Sequence, residues 1–190
     1  QRFFAPSPET ILLMDTLNLV DRSVVEQDWA SAILAADNAL VTLPDDVELL
    51  IWRAVLAERN GDPDAAAAFL ARAHTADVDP ARLGIMLGMK RFQAGDLDGA
   101  TAAAADARQA DPSSSEAVFI LASVAEASGD RVQAITLFEE AAALAEDNNP
   151  QMVVTSRMRL AGLLQNQGFA SGLCWRLCLA ATPGGEPACY

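Results

Sequence analysis

Apolar residues return every three or four positions along the chain, and short polar turns cut the runs they form. This spacing predicts amphipathic α-helices. Ser7 is placed to cap a first helix, with Pro8 and Glu9 in its opening turn, and Ile11, Leu12, Leu17, Leu19 and Val20 carry the pattern to about Glu26. A second helix, from Trp29 to Thr42, keeps Ala32, Ile33, Ala36, Ala39 and Leu40 on one face until Pro44 stops it. Helices are then expected from Val47 to Asn60, from Pro63 to about Ala76, and from Pro80 to near Ala94. Three more run from Leu97 to Ala110, from Glu116 to Ser128 and from Arg131 to about Ala145, and a ninth from about Gln151 to Gln167. Leu173, Leu177 and Ala180 suggest one face of a last short helix before the breaker-rich Thr182–Pro187 tail.

The turns recur at a fixed interval. Gly61-Asp62, Gly95-Asp96 and Gly129-Asp130 are equally spaced, with a period of thirty-four positions, and a small residue follows each at the same offset: Ala66, Ala100 and Ala134. Gln27-Asp28 stands one such period before the first of them. A constant period of this length marks stacked repeats of a helix pair. The phase slips once, because the next turn glycine, Gly168, comes five positions later than the period places it. The extra residues are expected near Glu146–Pro150.

Composition agrees with close helix packing. Of 190 residues, 52% are hydrophobic and only 6% aromatic, with alanine dominant. The net charge of -13 argues against nucleic acid or an anionic membrane surface as partner, since both call for clustered Lys and Arg. It reads either as solubility or as an acidic surface that attracts basic partners. No apolar run is long enough to span a membrane. Gln1 is not a methionine, which leaves room for an upstream leader or anchor, and the compartment stays open. Cys174, Cys178 and Cys189 all fall beyond the periodic part of the chain, so the repeats need no disulfide.

In units 13–46, 47–80, 81–114 and 115–148, with a partial fifth at 154–168, these residues fall into columns. A large residue in the first helix is Leu19, Leu87, Leu121 and Leu160, and a small one follows at Ala54, Gly88, Ala122 and Ala161. The second helix gives Ala32, Ala66, Ala100 and Ala134, then Ala39, Ala73, Ala107 and Ala141, with Pro44 and Pro112 closing units. The columns resemble those of the tetratricopeptide repeat over about residues 9–168. Arg53, Gly84, Arg157 and Val78 depart from the usual pattern. The resemblance implies an all-α, right-handed α-solenoid of antiparallel helix pairs. An irregular lead-in (1–8) would precede it and a capping helix or tail (169–190) would follow.

It also implies a concave groove lined by the first helix of each pair. The fifth position of that helix is Leu17, Ile51, Ile85, Phe119 and Met158, and Val55, Met89 and Phe92 extend the strip. Glu48, Glu58, Glu116, Glu126 and Asp21 flank it, with Arg82 as the main basic exception. One reading is an apolar groove with acidic rims, suited to an amphipathic or extended segment carrying Lys or Arg. The other is that part of the strip packs inside the hairpins. Leu17 and Asp21 stand where carboxylate-holding members of the family use Lys and Asn, so that subtype is not expected. Self-association through Leu173, Trp175 and Leu177, giving a homodimer, is the alternative contact.

Catalysis finds no residue set. His74 is the only histidine, placed at a helix end, and there is no Ser-His-Asp set, phosphate loop or zinc string. Cys174 and Cys178 lack the shorter spacing and further ligands of a usual metal site. The expectation is a non-catalytic protein–protein interaction scaffold without cofactor or metal.

Overall fold

A computed structural model describes residues 6–165, all-α among those residues, and the chain divides into two compact units after Ala110. The first unit holds three helix pairs: α1 (Pro8–Val25) with α2 (Trp29–Thr42), α3 (Val47–Arg59) with α4 (Pro63–Thr75), and α5 (Pro80–Gln93) with α6 (Leu97–Ala110). The second holds α7 (Ser115–Ala127), α8 (Arg131–Ala145) and α9 (Pro150–Gln165).

Capping residues fix where most of these helices begin. Ser7, Asp28, Asp46, Asp62, Asp79, Ser114 and Asp130 each accept a hydrogen bond from a backbone N–H of the first turn. The recurring glycines end the first helices as their spacing suggested. Gly61, Gly95 and Gly129 have φ of +77°, +80° and +82°, a region that L side chains rarely adopt. In two of these turns the next N–H reaches back to the helix it follows, from Asp62 to the Ala57 carbonyl and from Asp96 to the Arg91 carbonyl, both at 2.9 Å. The first turn has the same bond, Asp28 to Ser23 at 2.8 Å, although Gln27 holds the left-handed position at φ 60°.

The alanine columns sit where helices approach most closely. Counted from the turn residue, offsets 5, 9 and 12 give Ala32, Ala36 and Ala39, then Ala100, Ala104 and Ala107, then Ala134, Phe138 and Ala141, all buried. In α4 the set is Ala66, Leu70 and Ala73, with Leu70 half-buried. Gly84 belongs to the same geometry: a Cβ there would lie 3.0 Å from the Ala103 carbonyl oxygen and from Ala107 Cβ. The departure from a bulky residue at this column therefore lets α5 lie against α6.

Two cores form in the first unit. Val20, Val24, Ala32, Ala36, Trp52, Val55, Leu56 and Ala94 make one, and Leu50, Ile51, Ala73 and Leu83 make the other. In the second unit α7, α8 and α9 share a core around Phe138 and Leu160. Leu19, the large residue of its column in α1, is 42% exposed, while Thr16, Val20, Ser23 and Val24 are buried. The equivalent Leu87 packs against the core of the hairpins ahead of it, and among the described residues no helix lies ahead of α1.

Candidate interaction surface

The first helices of the pairs were expected to present one apolar strip, and the structure divides it. On α3, Ile51 and Val55 are sealed, at 0% and 2% exposure. Ile51 packs with Leu50, Ala73 and Leu83, and Val55 with Val20, Val24 and Trp52. They are core residues and not groove lining, because α3 has hairpin residues packed against it on both sides. On α5, Ile85, Met89 and Phe92 are only half-buried, and their spacing of four and three positions puts them on one helix face. Leu17 is half-buried beside the Val20–Trp52 core.

In the second unit, Phe119 turns toward its own hairpin. Its ring meets Phe138 edge-on, centroids 5.4 Å apart and planes at 65°. Met158 is 70% exposed, while Ser156, Leu160 and Leu163 form the buried side of α9. Leu173, Trp175 and Leu177 lie outside the described residues, as do Cys174, Cys178 and Cys189.

The acidic rim is the second correction, since most of its carboxylates are engaged within the chain. Glu48 pairs with the Lys90 ammonium at 2.8 Å, and Asp21 approaches the same ammonium at 3.8 Å. Glu58 accepts from the Arg91 guanidinium, with its Nε at 3.1 Å, and Arg91 also reaches the Gly99 carbonyl at 3.3 Å. Glu126 pairs with Arg159 at 3.4 Å, and Glu116 accepts from Asn149 Nδ2 at 3.1 Å. The Glu58, Glu126 and Glu116 contacts each span almost one repeat period, which joins one first helix to the next or to its cap. The acidic border expected from the sequence is therefore not free: three cations, Lys90, Arg91 and Arg159, meet four of its carboxylates, and Glu116 is held by a neutral amide. Arg82 is exposed at the start of α5.

Lys90 is the residue that sequence reading missed. It is 8% exposed, and its ammonium lies 4.8 Å from the centre of the Trp52 ring, so a cation–π contact joins the two ion pairs. A signal was present. Leu56 and Val124 stand one repeat period before and after Lys90, and both are buried. A lysine in an apolar column needs partners, and carboxylates on α1 and α3 provide them.

The shifted acids belong to turns and not to this surface. The Ser31 side chain, then its backbone N–H, holds Asp28 below the usual carboxylate range, and Ser113 does the same for Asp111. His74 is exposed in the last turn of α4. Among the described residues no group of three His, Cys, Asp or Glu is placed to hold a metal ion, and no helix is long and apolar enough to cross a membrane.

A family model for the tetratricopeptide repeat matches residues 17–80 and 85–150. No curated protein matches the chain. Among solved structures, a crystal structure of MamA protein is 19% identical, with 83% of each chain covered and a TM-score of 0.47. A MamA structure designated AMB-1 is 15% identical, covers 93% of this chain and 94% of its own, and has a TM-score of 0.46. The family match spans more than half of the sequence and coincides with the helix pairs, turn glycines and alanine columns described above, so the chain belongs to the tetratricopeptide-repeat family.

Proposed function

We propose that this protein is a non-catalytic scaffold that takes the apolar face of a peptide or amphipathic helix on α5, through Ile85, Met89 and Phe92. Membership in a family of repeat scaffolds supports the coarser reading, a protein–protein interaction module. The finer reading rests on one observation. The columns that are closed on α3 by Ile51 and Val55 are left half open on α5. The neighbouring cations Lys90 and Arg91 are held by Glu48, Asp21 and Glu58, so neither is left to repel or attract a partner on its own. Apolar side chains that remain accessible at helical spacing suit i, i+4, i+7 anchors on a partner.

Panning a displayed random-peptide library against the protein tests this. Enrichment of peptides with three spaced apolar anchors is expected for the natural chain. It should be lost in Ile85→Glu/Phe92→Glu and kept in Ala105→Glu, on the exposed side of α6. Equal enrichment on all three proteins would sink the assignment to α5.

A further inference from the structure

We infer that the segment held on α5 carries an acidic side chain one helical turn outside its apolar anchors, and that Arg82 receives it. The inference rests on the α5 reading above and adds the charge that orients the partner. Arg82 is exposed, and Ile85, Met89 and Phe92 are half-buried. It stands three, seven and ten positions before them, within about 80° of each around the helix. The guanidinium therefore heads the apolar strip, with Phe92 about 15 Å further along the axis.

The fold makes no use of this cation. The other lysine and arginines of α3, α4 and α5 all have partners: Arg53 pairs with Asp37, Arg59 lies over Trp29, Arg72 over Phe69, and Lys90 and Arg91 meet carboxylates. Among the described residues no carboxylate or aromatic ring pairs with Arg82. Asp79 is the near candidate, but its Oδ1 accepts the N–H groups of Ala81 and Arg82, at 2.9 and 3.2 Å. The position is also the wrong one for helix stability. Arg82 sits in the first turn of α5, where the helix dipole favours negative charge. The first turns of α1, α3, α4, α6 and α7 carry Glu9, Glu48, Asp64, Asp98 and Glu116. A charge that breaks a local rule and gains nothing inside the chain points to a contact outside it.

The complement of that charge follows from pairing, and not from the net charge of -13. In the repeat column of Arg82, Glu48 and Glu116 are the acids, and Lys90 and Asn149 hold them. The unpaired charge at the head of the strip is thus positive, and a carboxylate matches the fork of a guanidinium. The Lys and Asn with which members of the family hold a terminal carboxylate are Leu17 and Asp21 here, which leaves an acidic side chain as the source.

The test pans a displayed library of single-helix peptides against the full chain. Leucine is fixed at i, i+4 and i+7, and the positions one turn beyond each end are randomised. The natural chain should enrich Asp and Glu over Lys and Arg about threefold or more at one outer position. Arg82→Gln should keep capture and lose the preference, and Arg82→Glu should turn it toward Lys and Arg. A preference unchanged in Arg82→Gln, or a basic preference on the natural chain, overturns the inference. Capture without charge preference that is lost in Ile85→Glu/Phe92→Glu leaves the α5 surface standing and rejects the role of Arg82. No capture by the natural chain rejects both. A synthetic copy of an enriched peptide should bind equally well when amidated at its C-terminus and about threefold or more weakly with its acid changed to the amide. The reverse pattern assigns Arg82 to a terminal carboxylate and overturns the inference. The melting midpoint of Arg82→Gln should be no lower than that of the natural chain, and a fall would show that the guanidinium serves the fold instead.

Discussion

Helices α3 and α5 of the first unit carry large apolar residues at the same repeat offsets, Ile51 and Val55 on one, Ile85 and Met89 on the other. Their surroundings differ. Val55 packs with residues of α1 and α2, and Ile51 with residues of α4 and α5. Ile85 and Met89 remain half-buried. Membership of a repeat column therefore fixes the direction a side chain takes from its helix, and the neighbouring hairpins fix whether it meets water. The same division runs through the charges. On α3, Trp52 is fully buried, and α5 sends Lys90 across its ring to Glu48 and Asp21. One helix supplies the closed core and the other supplies both the tie and the open surface.

The comparison breaks most visibly at the paired isoleucines. Ile51→Ser should destabilise the first unit by about 3 kcal/mol or more, because it removes a fully buried side chain and leaves a cavity with a hydroxyl. Ile85→Ser should cost about 1 kcal/mol, in line with its partial burial. Urea midpoints followed by circular dichroism separate the two. Similar midpoints would mean that α5 is as closed as α3, and the proposed peptide surface would fall with the distinction.

Lys90 allows a finer cut. Lys90→Ala should cost about 2 kcal/mol, since Asp21 and Glu48 keep their charges beside a buried indole and lose the cation between them. Lys90→Met leaves the same two carboxylates without their cation but fills the space over Trp52 with an apolar side chain, as Leu56 and Val124 do in their columns, and should recover about 1 kcal/mol of that loss. A Met variant as unstable as the Ala variant would show that the ion pairs, and not the filling of space over Trp52, hold α5 against α3.

The turns and alanine columns were legible in the sequence for a local reason. Left-handed backbone at Gly61, Gly95 and Gly129, and small side chains where helices touch, are steric demands met by the residue itself. The open part of the strip was not legible, because it depends on side chains arriving from other repeats. Nothing in Ile51 announces that α5 will pack over it, and nothing in Glu58 announces Arg91 from the next repeat. Leu19 shows the same dependence: the equivalent Leu87 packs against hairpins ahead of it, which α1 does not have among the described residues. Phe119 was assigned to the groove from its position alone, and Phe138 draws it into the hairpin.

The smallest expected effect tests how local the tie between α3 and α5 is. Asp62 and Asp96 cap α4 and α6 through the same bond, to Ala65 N at 3.0 Å and to Gly99 N at 2.9 Å. Only Asp96 has a second task, with its other oxygen 3.9 Å from Arg91 Nε. Glycine at position 99 permits this, since a Cβ there would lie 2.0 Å from that oxygen. Asparagine keeps the cap and removes the charge. Asp62→Asn should therefore leave stability nearly unchanged, and Asp96→Asn should cost up to about 0.5 kcal/mol more, as expected for a long, partly solvated ion pair. The excess should vanish in an Arg91→Gln background, where a double-mutant cycle isolates the pair. An excess that persists without the guanidinium would place the difference in the caps, and the Arg91 tie would then run through Glu58 alone.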